Sequence, residues 1–311
     1  MDLSIVVVSY NVRQLLALCL ESLYQTLQET SLAFEVLVVD NASGDGSAEW
    51  VRERFPEARL YANERNTGYA AASNQGMAAC QGRYVLVMNP DTRALGSAIA
   101  ILLAFMDENP GVGMAGPALL YGDGSFQHSA FRFPSLPQIL FDFYPLHYRL
   151  INSRLNGRYP RRLYEGGEPF AIDHPLGAVM LVRREVIEQV GMMDEQFFMY
   201  CEEVDWAKRI RQAGWEICTV PQALFIHHAG QSTVQFRDRM FVALWRSRYL
   251  LFQKHYSAAF IWAAKRLVRL GLASESKRAR AQGLDADQLA ARLRAYESVR
   301  RMPEIMPKEL G

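Results

Sequence analysis

Apolar and polar positions follow a repeating order along the first third of the chain. Short runs rich in valine and leucine alternate with segments in which apolar residues recur every three or four positions. The pairs are LSIVVVSY with VRQLLALCLESLYQTL, FEVLVVD with GSAEWVRERF, ARLYANE with GYAAASNQGMAAC, and YVLVMN with GSAIAILLAFMDEN. Uniformly apolar strands separated by helical segments predict an α/β fold, in which a mostly parallel central sheet carries helices on both faces.

The rest of the chain is less regular. After Asn109 and Pro110 the strand and helix order fades into an irregular, aromatic and basic stretch that continues to Gly167. Strand and helix patterns then return, and from about residue 235 the pattern is helical almost to the end, with Gly271 and Gly283 as expected breaks. We therefore expect an α/β domain over residues 1–235 and a C-terminal helical region over residues 236–311.

Composition excludes some classes of function. The chain has 34 basic and 33 acidic residues, a net charge of +1, so no overall field points to a nucleic-acid partner. The four cysteines are scattered and form no C-x-x-C pair, which is typical of reduced thiols in the cytoplasm. The apolar run near the N-terminus is too short for a signal peptide or a membrane-spanning helix. We expect a cytoplasmic protein.

Polar residues follow the apolar runs at the points where the strands end. Ligands of open α/β sheets bind beyond the carboxyl ends of the strands, so these residues should converge on one rim. They are Ser9, Tyr10 and Asn11 after the first strand, Asp40 and Asn41 after the second, and Asn89 and Asp91 after the fourth.

The segment NERNTGYAAASNQG lies between the second and fourth of these strands. It places Arg65, Asn66 and Gly68 at a helix start and Asn74 further along the helix. Free backbone N–H groups at a helix start favour an anion, so this segment is a candidate for binding the phosphates of a ligand.

The strand-end residues suit a nucleotide-linked sugar. Tyr10 offers a planar face, and Asp40 offers an acceptor for donors of the base or ribose. A diphosphate can be neutralised by a divalent cation held by one carboxylate, for which Asp91 is the candidate, with Asn89 adding a neutral oxygen. Taken singly, an aspartate at a strand end is more often a turn or capping residue.

Two further groups carry candidate chemistry. CEEVDW places Glu202, Glu203 and Asp205 in the first turn of a helix, where crowded carboxylates raise one another's pKa toward the range of a general base. Asp205 could instead pair with Arg209, one turn on, in a purely structural role. FIHHAGQST carries His227 and its neighbour at a strand end, a candidate second metal ligand if it meets Asp91.

With these residues in view, the chain resembles family 2 glycosyltransferases of the GT-A fold, in the branch that includes bacterial rhamnosyltransferases of cell-surface polysaccharide synthesis. The resemblance covers residues 3 to about 256. It rests on SIVVVSYN, VLVVDNASGDGS, ERNTGYAAASNQG, VLVMNPDT, DGSFQHSAFRFPS, PLGAVMLVRREV, MDEQFFMYCEEVDW, HHAGQS and RSRYLLFQKHY, in this order.

The resemblance implies an inverting, single-displacement transfer from a nucleoside diphosphate sugar to a hydroxyl of a glycan or lipid-linked acceptor, with Mg²⁺ or Mn²⁺ as cofactor. It implies a nucleoside site at Asp40 with Tyr10 and Ser9. It also implies a metal at the D-x-D position of Asn89 and Asp91, and a general base at the second member of the pair Glu202 and Glu203.

The chain departs from the family pattern in two places. Asn89 replaces the first aspartate of the metal motif, which leaves less charge on the ion. Glu203 stands where relatives often have aspartate, so Glu202 and Asp205 remain alternative bases. His227 matches the family's histidine better than His228, although both stay open.

Three other classes compete with this interpretation. A sugar nucleotidyltransferase or an NAD-dependent dehydrogenase should carry a glycine-rich loop after the first strand, and VVVSYNVRQ has no glycine. A non-catalytic carbohydrate-binding protein would tolerate loss of the acids.

The C-terminal region mixes basic and aromatic residues. Two interpretations stay open: a helical cap with a solvated basic face, or helices that lie on the inner face of the cytoplasmic membrane as a peripheral contact.

Overall fold

The computed structural model describes residues 1–28, 30–144, 147–228 and 237–305. The chain forms two compact units, each discontinuous in sequence. The first contains residues 1–132, 159–198 and 202–232, and the second contains residues 133–158, 199–201 and 233–311.

The secondary structure of the first unit alternates between strands and helices. Its strands are β1 (Leu3–Ser9), β2 (Phe34–Asp40), β3 (Arg59–Ala62), β4 (Tyr84–Met88), β5 (Thr92–Ala94), β6 (Val112–Leu120), β7 (Phe126–Gln127), β8 (Ala130–Phe131), β9 (Phe170–Ala171), β10 (His174–Pro175), β11 (Val179–Arg183) and β12 (Glu216–His227). Its helices are α1 (Arg13–Gln28), α2 (Ser47–Arg54), α3 (Tyr69–Ala78), α4 (Ala98–Glu108), α7 (Arg161–Glu165), α8 (Arg184–Val190) and α9 (Glu202–Gln212).

The second unit is helical. Its α-helices are α5 (Leu136–Phe143), α6 (Tyr148–Ile151), α10 (Arg237–His255), α11 (Ala258–Ala281) and α12 (Ala286–Ile305), with a 3₁₀ helix at Arg154–Asn156.

The central sheet has the predicted mostly parallel character. Its strands lie in the order β3-β2-β1-β4-β11-β6-β12-β5, and β3, β2, β1 and β4 are parallel to one another. β12 is parallel to β6, whereas β11 runs antiparallel to both of its neighbours, β4 and β6. The register sets Ser9 beside Asp40 and Val7 beside Met88, so β1, β2 and β4 end at one edge.

Helices cover both faces of this sheet, as predicted. Alternate residues of β1, such as Ile5 and Val7, pack with α1, α2 and α4 in the main core. The intervening residues face α3, where Val6 and Val39 lie so close to Gly76 that an added Cβ would be 2.5 Å from Val6. The strands are therefore buried on both sides, which explains why they lack polar alternation.

The irregular stretch predicted between residues 110 and 167 contains the central strand β6, which the sequence pattern did not indicate. Its glycines and proline are atypical of a strand interior. They fit because Gly113 lies against Trp215, where a Cβ would be 2.8 Å from that side chain, and because the register of β12 shifts opposite Pro117.

Helix α5 belongs to the second unit, and the predicted boundary between residues 235 and 236 lies outside the described residues. Helix α5 carries Ile139 and Phe143 into the same core as Trp245 of α10. The rings of Phe143 and Trp245 stack at 5.2 Å, and the Phe143 carbonyl accepts a hydrogen bond of 2.7 Å from Arg278. Helix α5 therefore packs with the C-terminal helices.

Gly271 is not a helix break. It lies inside α11, where an added Cβ would be 2.1 Å from the Phe143 side chain, so the glycine allows α5 and α11 to approach closely. The other expected break, Gly283, separates α11 from α12 with a φ of 66°. Among the helices of the described ranges, none combines the length and the apolar character that a membrane crossing requires.

Candidate active site

The ends of β1 and β2 form one half of the candidate site. Asp40 is 3% exposed, and its Oδ2 accepts a hydrogen bond of 3.0 Å from the Ser43 backbone N–H. Its Oδ1 and the Oγ of the neighbouring Ser9 are both buried without a hydrogen-bond partner among the described residues. Because buried polar atoms are nearly always paired, two adjacent orphans indicate a place where a ligand can bind.

The loops that follow these two strands are tied to each other. The Asn11 N–H donates to Ser43 Oγ at 2.9 Å, and Asn11 Oδ1 accepts from the Gly44 N–H at 2.7 Å. Asn11 and Ala42 have left-handed φ angles of 53° and 67°, conformations that a surrounding structure must enforce. Tyr10 is 41% exposed beside them, so its ring is accessible to a ligand.

Asn41 organises the loop before α3. Its Nδ2 donates to Asn66 Oδ1 at 3.0 Å and to the Gly68 carbonyl at 3.2 Å. Its Oδ1 accepts from the Thr67 N–H at 3.0 Å and from Asn63 Nδ2 at 3.2 Å. In this structure the side-chain hydrogen bonds of Asn41 go to the protein, so it shapes the loop rather than facing a ligand.

The same loop carries two more of the predicted residues. Asn66 Oδ1 also accepts from the Gly68 N–H at 2.9 Å, which gives this side chain a structural part in the loop. Arg65 is exposed on the same loop, three residues before Gly68.

The start of α3 is fastened to the segment that precedes the acids. Gly68 has a φ of 89°, and a Cβ there would lie 2.5 Å from the Phe198 carbonyl oxygen. The Tyr69 N–H donates to that oxygen at 2.7 Å. Farther along α3, Asn74 is buried and exchanges hydrogen bonds with the backbone of Met193, at 2.8 and 3.1 Å. Gly68 and Asn74 therefore hold segment 193–198.

Asp91 and His227, distant in the sequence, meet at the other half of the site. His227 at the end of β12 pairs with Thr92 of β5, and the His228 N–H donates to the Asp91 carbonyl at 2.9 Å. His227 Nε2 lies 3.5 Å from Asp91 Oδ1, an oxygen that is buried without a hydrogen-bond partner among the described residues. Both residues are 7% exposed.

Gln127 of β7 orients the ring of His227. Its Oε1 lies 3.1 Å from His227 Nδ1. Since an amide oxygen only accepts, Nδ1 carries a proton. Burial lowers the pKa of His227 and so favours the neutral ring, in which Nε2 presents its lone pair toward Asp91. Gln127 is itself buried, and the sequence pattern gave it no role. Gln127 lies in DGSFQHSAFRFPS, one of the motifs on which the resemblance rests, and that motif is the sequence signal that could have indicated a role for this segment.

A carboxylate oxygen and an imidazole lone pair at this separation suit a divalent cation. Burial raises the pKa of Asp91 and His227 opposes that rise, while burial lowers the pKa of His227 and Asp91 opposes that fall. An ion bound between them would relieve both effects. Within the described ranges, no group of three or more His, Cys, Asp or Glu side chains could hold a metal. An ion at this pair would need further ligands, such as phosphate oxygens.

Asn89 lies at the turn between β4 and Asp91 and is half-buried. Its N–H donates to the Ala178 carbonyl at 2.8 Å, and its carbonyl accepts from Thr92 Oγ1 at 2.6 Å. These hydrogen bonds fix the turn and tie it to Ala178.

The acids of α9 lie near this turn. Glu202 is 6% exposed, and its Oε2 is buried without a hydrogen-bond partner among the described residues. Burial, and then the charge of Glu203, raise the pKa of Glu202 well above the usual range. Glu203 is half-buried against Gly177, where an added Cβ would lie 3.3 Å from its side chain. Glycine at this position therefore leaves room for the Glu203 side chain.

Tyr69 lies near both the Asp91 turn and the acids of α9. Its hydroxyl donates to the Gly177 carbonyl at 3.3 Å. Burial raises the pKa of Tyr69 first, and the charges of Glu202, Glu203 and Asp91 raise it further. Gly177 lies against Glu203, and the next residue, Ala178, accepts a hydrogen bond from Asn89, so the Asp91 turn and the acids of α9 adjoin the same two residues. Tyr69 was not among the predicted residues, although it directly follows Gly68.

Asp205 has the structural role that the sequence offered as its alternative. It is fully buried and binds Arg209 Nε at 2.8 Å. Arg209 also donates to the carbonyls of Val190 and Met192, at 2.8 and 2.7 Å. This buried pair anchors α9, which argues against Asp205 as the base.

The chain is similar in sequence to known glycosyltransferases. The model of the family described as "Glycosyl transferase family 2" matches residues 4–191. The chain is 33% identical over 251 residues to the N-acetylglucosaminyl-diphospho-decaprenol L-rhamnosyltransferase of Mycobacterium tuberculosis, an alignment that covers 74% of this chain and 80% of that protein. It is 26% identical over 209 residues to the dTDP-rhamnosyl transferase RfbF of Shigella flexneri, covering 64% of this chain and 62% of that protein.

Two solved structures share the fold. The mannosyltransferase PcManGT of Pyrobaculum calidifontis, in complex with GDP-Man and Mn²⁺, aligns with a TM-score of 0.57 at 19% identity, over 97% of this chain and 84% of that one. GalNAc-T7 with UDP, GalNAc and Mn²⁺ aligns with a TM-score of 0.59 at 15% identity, over 98% of this chain and 56% of that one. These likenesses confirm the predicted GT-A fold.

Proposed function

Because the chain belongs to glycosyl transferase family 2 and is a glycosyltransferase, we propose that it is an inverting, metal-dependent enzyme that uses a nucleoside diphosphate sugar. The proposed donor sugar is rhamnose, and the proposed acceptor is a hydroxyl of a lipid-linked glycan in cell-envelope polysaccharide synthesis. The rhamnosyltransferases among its relatives support this choice.

The observation that carries the proposal is that the Asp91 turn and the acids of α9 adjoin the same two residues: Gly177 lies against the Glu203 side chain, and the Ala178 carbonyl accepts from Asn89, two residues before Asp91. A metal-binding carboxylate and a candidate base must face one cleft if a sugar attached to a diphosphate is to be attacked at its anomeric carbon. The hydrogen bonds from Tyr69 and Asn89 to residues 177 and 178 support a shared cleft of this kind.

The proposed binding site for the nucleotide of the donor is supported by the unpaired buried atoms at the ends of β1 and β2. Asp40 Oδ1 and Ser9 Oγ supply an acceptor and a hydroxyl for the nucleoside, and the exposed Tyr10 supplies a stacking face. Arg65, exposed on the loop that Asn41 holds, is available to a phosphate.

Asp91 and His227 would hold the divalent cation. When bound there, it offsets the negative charge that develops on the leaving diphosphate. The His227 nitrogen favours Mn²⁺ over Mg²⁺, because Mg²⁺ prefers oxygen ligands. The Mn²⁺ complexes of the two structural neighbours are consistent with this preference.

Glu203 is the proposed general base. It is half-buried and so more open to an acceptor than Glu202, which is almost fully buried and whose pKa is raised by burial and by the charge of Glu203. Glu203 accepts the proton of the acceptor hydroxyl as that oxygen attacks the anomeric carbon. One displacement without a carboxylate nucleophile inverts the anomeric configuration.

The proposal is tested without an acceptor by slow hydrolysis of the donor. A panel of nucleoside diphosphate sugars is incubated with the full chain and Mn²⁺, Mg²⁺ or a chelator, and release of the nucleotide is measured. We expect hydrolysis of a rhamnose donor with Mn²⁺, less with Mg²⁺ and none with chelator. Binding of every donor without hydrolysis under any condition would count against an enzyme.

A lipid-linked acceptor would require the enzyme to reach a membrane surface. We propose a cytoplasmic location with a peripheral contact on the inner face of the membrane.

A further inference from the structure

Helix α11 of the second unit has one buried face. Ala264, Val268, Leu272 and Ala279 are all at most 2% exposed and recur at helical spacing. Gly271 lies on the same side, against Phe143 of α5. This face belongs to the core of the unit, so it leaves the opposite face of the helix uncovered by α5.

The opposite face of α11 combines exposed apolar and basic side chains. Trp262 and Leu270 are each 63% exposed, two turns apart, and rank among the most exposed large hydrophobic residues described. The Arg266 guanidinium lies 5.3 Å from the Trp262 ring centroid, and Arg269 is exposed one turn farther on. We define the outer face of α11 by Trp262, Arg266, Arg269, Leu270, Ala273, Lys277 and Arg280.

This outer face carries no carboxylate. The acid of α11, Glu275, lies on the inward side of the helix and binds Arg278 and the Tyr296 hydroxyl. The outer face therefore presents four cationic side chains, those of Arg266, Arg269, Lys277 and Arg280, along the same side of the helix as Trp262 and Leu270. The pattern is that of a helix lying in the plane of a membrane interface, with tryptophan at the headgroup level.

A cavity of about 670 Å³ adjoins the outer face, between α11 and α12. Arg269, Arg280 and Arg300 line it together with Ser276, and Leu272 and Leu293 add apolar surface. Glu297, the carboxylate among its lining residues, is bound by Arg300 at 2.7 Å. The cavity thus has an excess of positive charge beside apolar side chains, which suits a phosphate group attached to an acyl chain.

We propose that the outer face of α11 docks on a bilayer that contains anionic phospholipids, with one phosphate headgroup entering the cavity between α11 and α12. Charge complementarity favours this occupant over a second copy of the chain, since two such faces would bring eight like charges together. This inference rests on the proposed function, in which a membrane contact brings the enzyme to a lipid-linked acceptor. The surface itself takes no part in catalysis.

The test is cosedimentation of the full chain with phosphatidylcholine vesicles, with and without phosphatidylglycerol. We expect binding only to the anionic vesicles. The double variant R266Q/R269Q should bind about 25-fold more weakly, because each charge near an anionic surface contributes about 1 kcal/mol, or about fivefold. The double variant W262A/L270A should lose about tenfold or more, since two apolar side chains no longer enter the interface.

Two matched variants serve as controls. R294Q removes an exposed arginine of α12 that lies outside the cavity lining, and L155A removes another highly exposed leucine of the second unit. Both should bind vesicles like the unchanged chain. Circular dichroism and donor hydrolysis in solution should be the same for all variants, so that misfolding cannot explain a loss of vesicle binding.

Several results would overturn the proposal. They are equal binding to neutral vesicles, no binding at all, or unchanged binding of both double variants. A dimer in sedimentation velocity that W262A/L270A abolishes would assign the face to a second copy. Stabilisation by inorganic phosphate that R269Q removes, without vesicle binding, would assign the cavity to a small anion. A chain that binds vesicles but hydrolyses no donor would refute the proposed function and leave this inference standing.

Discussion

His227 Nε2 lies 3.5 Å from Asp91 Oδ1, because the end of β12 pairs with β5 immediately after the Asp91 turn. The hydrogen bond from the His228 N–H to the Asp91 carbonyl fixes the same contact through the backbone. Gln127 completes the arrangement, because its Oε1 accepts a hydrogen bond from His227 Nδ1. Three segments of the chain thus present one carboxylate oxygen and one imidazole lone pair to the same point.

Replacement of Gln127 by leucine should weaken Mn²⁺ binding about tenfold or more, because the ring of His227 loses the acceptor that selects its tautomer. Q127E keeps an acceptor oxygen and should restore most of the affinity. H227A should weaken binding further, since it removes a proposed ligand. Free Mn²⁺ is measured by electron paramagnetic resonance in the presence of a nucleoside diphosphate, which does not require turnover.

The exposed Gln196 offers a matched control, because Q196L makes the same substitution away from Asp91. If the affinity for Mn²⁺ falls in H227A and stays unchanged in Q127L, Gln127 does not contribute to metal binding. Unchanged affinity for Mn²⁺ in both variants would refute the proposed metal site.

Replacement of Glu203 by glutamine should reduce sugar transfer by about a hundred- to ten-thousandfold, the usual contribution of a general base. The dissociation constant of the donor should stay close to that of the unchanged chain, because Glu203 is proposed to act on the acceptor hydroxyl, whereas Asp40, Ser9 and Asp91 are proposed to bind the donor. Transfer rates and donor titration calorimetry measure the two effects separately. Full turnover of E203Q would refute the base assignment, and partial activity of E203D would support it.

The sequence predicted the edge of the site because of how its strands are buried. Strands β1, β2 and β4 are covered on both faces, so their apolar runs stand out, and the first polar residue after each run marks the strand end. In parallel strands these ends fall on one edge. Asp40 and Ser9 were thus identified from local pattern alone.

Other features depend on tertiary contacts that no local pattern contains. Strand β6 includes Gly113 and Pro117, which disfavour a strand by propensity, yet close neighbours such as Trp215 require the glycine. Gly271 reads as a break, although it is the residue that lets α11 approach Phe143. The role of Gln127 depends on the pairing of β7 with β6, which brings it to His227.

Replacement of Glu202 by glutamine should stabilise the protein above about pH 5 and have little effect near pH 4. The pKa of Glu202 is raised in the folded state, whereas in the unfolded chain it returns to about 4.3. Between these values the folded state holds a proton that the unfolded state releases, so the carboxyl lowers stability by about 1.4 kcal/mol per pH unit. Glutamine does not titrate and removes this loss.

Urea unfolding of E202Q and the unchanged chain from pH 4 to pH 8 measures the effect. The difference between the two unfolding midpoints should grow with pH and then level off above the folded pKa of Glu202. A difference that is constant with pH would show that Glu202 ionises in the folded state as it does in the unfolded chain.

Replacement of Gly68 by alanine should destabilise the protein more than the same change at Gly96. Both glycines have a left-handed φ, of 89° and 51°, so both substitutions incur the cost of that backbone conformation. Only at Gly68 does the added Cβ meet another segment, the backbone and ring of Phe198, whereas at Gly96 no atom lies within 4 Å. The contact at Phe198 should add about 1–3 kcal/mol to the loss at Gly68.

The two variants also separate stability from catalysis. G68A displaces segment 193–198, which leads to Glu202 and Glu203, so transfer should fall even under conditions where the variant remains folded. G96A should transfer sugar at the rate of the unchanged chain, because its cost is confined to one exposed turn. Unfolding midpoints and transfer rates of both variants provide the comparison, and equal losses in G68A and G96A would show that the contact with Phe198 contributes nothing beyond backbone strain.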